Sequence, residues 1–433
     1  MAIIPQQKLF GWEEIEELGD LERLKLVIEH MPDEGLMRRL EKERGPGRDD
    51  YPVRGMWNAV LAGVVYEHKS MESLRRELLR NAQLREMCGL SRVPTSWAFS
   101  RFLRKLLSME EEIDAIFDKL VEEIAELLPD FGVNLAVDGK AIKTHARPHK
   151  KEEKKTPDGR RDTDADFGRK DYRGQREDGT LWEKIARWFG YKLHLLVDAD
   201  YELPVAFTVT KASAAEALQA HVLLDKTEKI HPHILKRSAH LMADRGYDDG
   251  KLITRLWGGY NIKPVIDIRS MWKDREQTRL VDGIKDVVYD YHGNVYCYPN
   301  PDKKKHMAYG GFEQDRESLK YRCPAEYYGI ECKNKDTCKV GQATRIPMEQ
   351  DRRVFTPVAR SSYKWESLYK KRTSVERDNS RLDVSFGFEN HYIRGLKKMQ
   401  LRMGLALCVM LAMALGRIKE NQKDKMRSLV KAA

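Results

Sequence analysis

Apolar residues recur at spacings of three and four through the first 130 or so positions, without alternating β-branched runs, so this stretch is expected to be helical. The clearest stripe is Ile113, Ile116, Phe117, Leu120, Val121, Ile124, Leu127 and Leu128, which stops near Pro129 and Gly132 and reads as the helix closing a first domain. Upstream, Ser70 is placed to cap a helix carrying Leu74 and Leu78. Thr95 and Ser96 are placed to cap another, carrying Phe99, Phe102, Leu103 and Leu106, so that two short helices are joined through a Gly/Pro turn.

The pattern changes at Asn134, where Leu135, Ala136 and Val137 make a short apolar run that stops at Asp138, like a buried strand ending in a carboxylate. Lys143 to Arg187 holds few apolar residues and is expected to be a long solvated loop. Trp188–Val197 and Leu203–Val209 predict two strands joined by a turn at Asp198, Ala199, Asp200 and Tyr201. A helix from about Ser213 to Lys229 then leads to a strand, His240–Ala243, ending at Asp244, and Ile262–Ile266 supplies a fifth strand. From about Arg269 to Pro357 the periodicity gives way to polar, aromatic and cysteine-bearing stretches, expected to be an insertion. Helical spacing returns over Tyr369–Asp383, and the most apolar run, Met403–Leu415, lies between Arg402 and Arg417. That run falls short of the roughly 20 residues needed to span a bilayer and is expected to be a buried helix.

A chain of 433 residues exceeds the usual size of one core. The expected division is a helical domain (1–131), a first core part (132–268), the insertion (269–357), a second core part (358–420) and a basic tail (421–433). With 41% hydrophobic and 34% charged residues, bulk disorder is not expected. The formal charge of +10 makes nucleic acid the leading partner class, because Lys and Arg release the counterions of a polyanion; a merely solvated basic surface carries the same charge. Arg101, Arg104 and Lys105, on or beside the polar face of the helix capped by Thr95, suit docking on DNA phosphates and suit a solvated helix face equally. Met1–Phe10 lacks the pattern of a signal peptide, so a reducing, cytoplasmic compartment is expected for the six cysteines, with no membrane partner.

Two strands that each end in an aspartate, followed much later by a glutamate on a helix, form the carboxylate set of two-metal phosphoryl chemistry: Asp138, Asp244 and Glu376. Hard oxygen ligands suit two magnesium or manganese ions, whose charge offsets the repulsion among the acids. Each acid also has a structural reading, Asp138 in a turn, Asp244 at the start of the next helix, Glu376 paired with Arg372. Asp198 and Asp200 are rival acids, but a hairpin turn favours a structural role for them. His194 is expected beside the strand of Asp138, as a satisfied core or supporting histidine rather than a proton carrier.

Val137-Asp138-Gly139-Lys140, Phe189-Gly190-Tyr191-Lys192-Leu193-His194, Ala243-Asp244-Arg245-Gly246-Tyr247-Asp248 and Tyr369-x-x-Arg372-x-x-x-Glu376-Arg377 follow one another in the order and spacing of bacterial insertion-sequence DDE transposases, which the chain resembles over roughly residues 50 to 420. The resemblance implies an α/β catalytic core with a ribonuclease H-like mixed sheet flanked by helices, behind an all-α N-terminal domain. It implies Asp138 and Asp244 on neighbouring strands, Glu376 on a helix, and Tyr369 and Arg372 on the same helical face, orienting DNA phosphates near the metals. Lys140 and Arg245 are expected to contact phosphate or balance the acids. One position departs from the pattern, Asp383 standing seven residues after Glu376 where a lysine is usual; Arg377, Arg381, Lys397 and Lys398 are the candidates to replace it.

The implied reaction is hydrolysis of a phosphodiester at an element's end, freeing a 3′-hydroxyl that then attacks target DNA. Double-stranded DNA, as terminal inverted repeats and target, is the expected partner, with a homodimer on DNA and a prokaryotic, nucleoid-associated location. The rivals are a ribonuclease H-like nuclease that does not join strands and a catalytically inactive, transposase-derived DNA-binding protein. Cys297, Cys323, Cys332 and Cys338 match a tetrahedral zinc site in number, although no C-x-x-C pair is present; four reduced thiols are the alternative, and any zinc there would be structural.

Overall fold

The computed structural model describes residues 19–427 apart from 47–49, 149–161, 177, 179, 270, 274–275, 301–302, 334, 336–337, 339 and 389. The expectations for Met1–Phe10 and for the last residues of the basic tail lie outside the described residues, as does much of the charged stretch before Asp162.

Among the described residues seven helices come first: α1 (Asp20–His30), α2 (Glu34–Arg44), α3 (Val53–Val65), α4 (Met71–Arg80), α5 (Ala82–Met87), α6 (Ser96–Leu106) and α7 (Glu110–Leu127). The caps fall where the hydroxyl residues placed them. Ser70 Oγ accepts from Ser73 N at 3.2 Å, and Thr95 Oγ1 accepts from Ala98 N at 3.2 Å. The short helix α5 was not expected, because six residues complete no apolar repeat; Asn81, which accepts from Leu84 N at 3.0 Å, starts it. Along α7 the stripe is buried from Ile113 to Ile124, but Leu127 at the last turn is 40% exposed and Leu128, past the end, takes the inward position.

A curled mixed sheet follows. It contains β1 (Asn134–Lys143), β2 (Asp166–Gln175), β3 (Leu181–Asp198), β4 (Leu203–Lys211), β5 (His240–Ala243) and β6 (Lys263–Ile266). The second half of β3 lies antiparallel to both β1 and β4, and its first half pairs with β2. Strands β5 and β6 add in parallel beyond β1, as expected of strands reached through helices α8 (Glu216–Ile230), α9 (Pro232–Arg237) and α10 (Gly250–Thr254). Two expectations are corrected here. The stretch Lys143–Arg187 is not wholly loop: β2 and the start of β3 form a hairpin, whose exposed Phe167, Leu181 and Ile185 lack the alternation that burial on one face imposes. Strand β1 does not stop at Asp138 but runs on to Lys143, held by cross-strand pairing as far as Gly190.

Residues 279–347 form two small antiparallel sheets, β7 (Arg279–Val281), β8 (Ile284–Tyr289), β9 (Val295–Asn300) and β10 (Lys303–His306), then β11 (Ala308–Glu313), β12 (Ser318–Arg322) and β13 (Ala343–Pro347), with the short helix α11 (Pro324–Tyr328) between the last two strands. They share a second apolar core built on Val287, Tyr289, Leu319, Tyr321, Ile346 and Phe355. Strands such as Lys303–His306 carry no apolar alternation, which hid them in the sequence.

The chain then returns to the main core through α12 (Tyr363–Lys370), α13 (Thr373–Ser385) and α14 (Leu396–Lys419). The helix expected over Tyr369–Asp383 is broken: Arg372 N bonds Tyr369 O at 3.0 Å and Ser374 N bonds Lys371 O at 3.0 Å, tightened i−3 contacts, while Thr373 Oγ1 bonds Lys370 O at 2.9 Å. Helix α14 has the length and apolar content to cross a membrane, yet 89% of its apolar window is buried inside the fold, against α1, α3, α7 and β4.

Candidate active site

Val137 of β1 and Ala243 of β5 are parallel partners, so the next residues, Asp138 within β1 and Asp244 just past the end of β5, stand side by side. Asp138 Oδ1 accepts its neighbour Gly139 N at 2.7 Å; Asp244 Oδ1 caps a tight turn over Arg245–Tyr247 by accepting Gly246 N at 2.7 Å. Burial pushes the Asp138 carboxyl up to about 6; Lys170 opposes the shift and Asp244 adds to it. Asp244 is raised for the same first reason and next by Glu216, with Lys170 and Arg372 pulling it down.

Glu376 sits in the first turn of α13, where a helix N-terminus favours negative charge. Its Oε1 accepts from Arg372 Nη2 at 2.7 Å, and its side chain is about half exposed. Arg372 lies over the Tyr369 ring, which stacks on Trp365 at 4.5 Å between centroids. The Arg372 charge is felt at Asp244, and that of Asp138 at Arg372, so this guanidinium lies within electrostatic reach of both aspartates while it pairs with the glutamate. Its Nε is buried without a hydrogen-bond partner among the described residues. The broken helix thus puts Tyr369 at the end of one segment and Arg372 at the cap of the next, rather than all three residues on one continuous face.

Other expected residues are placed differently. Lys140 is ion-paired with Asp383, so the acid standing where a lysine is usual is neutralised from strand β1. Arg377 Nε binds Glu202 Oε1 at 2.7 Å, and Arg381 binds both Glu202 and Asp378; these two lock α13 to the β3–β4 turn and are not free to replace that lysine. Lys397 and Lys398 are exposed. Arg245 is 68% exposed, 3.4 Å from Asp267. Asp198 is fully buried and accepts from the backbone of Gly132, Asp200 and Tyr201, a structural role.

His194 is buried, with Nε2 2.9 Å from Thr210 Oγ1, and burial holds its pKa down at about 3. A histidine that stays neutral when folded but protonates from about pH 6.5 downward when unfolded loses the fold about 1.4 kcal/mol for each pH unit below that point. His240, held down at about 4 by burial, adds in the same direction. Urea unfolding is therefore expected to show lower stability at pH 5 than at pH 7, and His194→Gln should shrink the difference; equal pH dependence in both proteins would refute this account.

Several groups beside the acids were not singled out from sequence. Glu216, the first residue of α8, lies against Lys192 at 3.1 Å and Lys170 at 3.7 Å. Lys170 Nζ also donates to Gly139 O at 2.9 Å. The Tyr247 ring is fully buried, its hydroxyl without a partner among the described residues and within the field of Asp138, Glu216 and Asp244. Lys192 and Tyr247 stand inside two of the quoted phrases, so they were in view; nothing local marks Glu216.

The four late cysteines come into one neighbourhood, half-buried and unbridged. Cys297 lies on β9, Cys323 leads into α11, and the Cys332 loop reaches β9 through Lys333 N to Pro299 O at 3.1 Å. Burial, then the nearness of Cys323, Cys332 and Cys338, pushes the Cys297 thiol up to about 12. In neither cluster, among the described residues, are three or more His, Cys, Asp or Glu side chains gathered into a finished metal-ligand group.

A family model described as a transposase DDE domain matches residues 130–412. The chain belongs to the DDE transposase family. A second model, "Transposase domain (DUF772)", matches residues 12–105 of this transposase, largely its helical part. The chain is also similar to the piggyBac transposase in its synaptic complex with hairpin DNA, at 12% identity and a TM-score of 0.38, over 95% of this chain and 79% of that one; so loose a likeness fixes neither topology nor site. No curated protein matches the transposase.

Proposed function

We propose that this transposase cuts element ends and joins them to target DNA at a site formed by Asp138, Asp244 and Glu376, in a ribonuclease H-like core. The observation that carries the reading is the register of β1 and β5, which sets two aspartates side by side, with the charge of Arg372, the partner of Glu376, felt at Asp244. A sheet in which β4, β3 and β1 are antiparallel and β5 and β6 follow in parallel supports the ribonuclease H-like assignment. The site suits divalent cations. Two acids are raised by burial and by neighbouring carboxylates, a buried tyrosine hydroxyl near them has no partner among the described residues, and a Cβ added at Gly246 would meet two carboxylates. When bound there, magnesium or manganese would polarise the attacking hydroxyl and offset charge on the leaving oxygen.

The chain's own part is to hold and orient. Asp138 and Asp244 are fixed by backbone N–H groups, and Arg372, braced by Tyr369, can turn from Glu376 to a DNA phosphate, freeing the glutamate for the site. Double-stranded DNA bound by the helical region 1–131, a homodimer on paired ends, and work at the nucleoid of a prokaryotic cytoplasm complete the proposal. Incubating the protein with element ends and target duplex in magnesium should give joined products. Cleavage without joining would favour a nuclease, and binding without cleavage an inactive DNA-binding derivative.

Zinc on Cys297, Cys323, Cys332 and Cys338 belongs to the same proposal as a staple for residues 269–357, an insertion in the core, since thiols this close repel once ionised unless a cation holds them. Protein purified without chelator should carry about one zinc per chain, lost in Cys332→Ser/Cys338→Ser. Well-folded, zinc-free protein would exclude the staple.

A further inference from the structure

We propose that Glu216 is a fourth carboxylate of the cation site, facing Asp138 and Asp244 from the start of α8. The inference rests on the site reading above and extends it to a residue outside the Asp138, Asp244 and Glu376 set.

Helix α8 packs against β3, β4 and the turn that follows Asp244, which delivers its first side chain to the middle of β1 and the carboxyl end of β5. The two glycines that follow the aspartates show where that side chain goes. A Cβ at Gly246 would stand 2.4 Å from Glu216 Oε2 and 2.8 Å from Asp244 Oδ1, so both oxygens border one small space. A Cβ at Gly139 would stand 3.0 Å from Glu216 Oε1. Glycine at both places keeps the space between the acids open, and the fully buried Tyr247 hydroxyl, without a hydrogen-bond partner among the described residues, stands within the field of all three. A site with an unsatisfied buried hydroxyl and three converging carboxylates is short of positive charge and of polar partners.

Part of that charge comes from Lys192, 3.1 Å from Glu216 and anchored to Ala214 O at 3.2 Å, and from Lys170, 3.7 Å from the same oxygen. Both lysines reach Oε1. Oε2 borders the small space beside Asp244 and is the oxygen offered to a cation. Lys192 thus orients the carboxylate and leaves its second oxygen for the metal. The competing account is that Glu216 serves only to neutralise buried Lys192.

Manganese binding to the DNA-free, full-length protein separates these accounts, read as the loss of the free-ion electron paramagnetic resonance signal, with thermal unfolding in chelator as the folding control. The variants are Glu216→Gln, the double variant Glu216→Gln/Lys192→Met, which leaves no unpaired lysine, and Asp138→Asn. Expected is a loss of manganese affinity of about tenfold or more in Glu216→Gln, persisting in the double variant even where removing Lys192 recovers thermal stability. Recovery of wild-type affinity in the double variant would show that Glu216 only balances Lys192 and would overturn the proposal. Wild-type affinity in Glu216→Gln beside weakened Asp138→Asn would overturn it too, leaving the three-acid site intact. Wild-type affinity in Asp138→Asn would remove the site reading itself, and Glu216 with it.

Discussion

Asp138→Asn, Asp244→Asn and Glu376→Gln are each expected to lower cleavage and joining by on the order of 10³-fold or more, because each keeps the shape of the side chain and removes charge needed to hold divalent cations. Folding should survive. Asp138 is raised to about 6 by burial among other acids, so above that pH its ionised form opposes the metal-free fold, and an amide relieves this. Glu376 is half exposed, and its pairing with Arg372 within one turn contributes little to stability. The losses should not add when two acids are changed, since in the proposed site one missing ligand already disables the set. Asp198→Asn is the informative contrast. That carboxylate accepts three backbone N–H groups, so its variant should lose about 1–3 kcal/mol of stability while the folded fraction still cuts DNA. Asp200→Asn, at a partly exposed turn position, should lose less. Near-normal cleavage in any variant of the three acids, or a dead but fully folded Asp198 variant, would sink the assignment.

Changing Arg101, Arg104 and Lys105 to Ala together is expected to weaken duplex DNA binding by about 100-fold at 0.15 M salt and to flatten the plot of log affinity against log salt by about 2.7, if each charge contacts one phosphate. Helix α6 presents Arg101 and Arg104 to solvent beside Trp97, itself 67% exposed, with the Arg101 guanidinium 5.9 Å from the indole centroid. An exposed tryptophan braced by arginine is costly on a face that only meets water and reasonable on one that meets a sugar–phosphate backbone. Lys105 is half-buried and should contribute least when the three are changed singly. Because α6 is capped by Thr95 and anchored by Phe99, Phe102 and Leu106, the substitutions leave its packing intact, and thermal unfolding should not move. Unchanged affinity and salt slope would return α6 to an ordinary solvated face.

What could be read from the sequence was whatever depends on neighbours along the chain. The caps at Ser70 and Thr95, the stripe of α7, the β3–β4 hairpin and the strand leading to Asp244 all rest on contacts within a few residues, and each stands close to where its pattern put it. The phrases around Asp138, Asp244 and Glu376 identified the family for the same reason, their spacing being a property of the chain itself. Decisions taken across long separations were hidden. Strand β1 continues past Asp138 because β3 supplies partners as far as Gly190, and the β2–β3 hairpin forms without the apolar alternation that marks a buried strand. Arg377 and Arg381 look available in sequence, yet the buried Glu202, some 175 positions earlier, claims them. Lys140 and Asp383, separated by 243 positions, cancel one another's charge. Glu216 is the sharpest case: a lone acid at an alanine-rich helix start, it acquires meaning only when β1, β5 and α8 converge. Local propensity sets elements from short-range contacts, whereas a charge is paired, buried or left free by whatever the fold brings beside it, and only the tertiary structure holds that information.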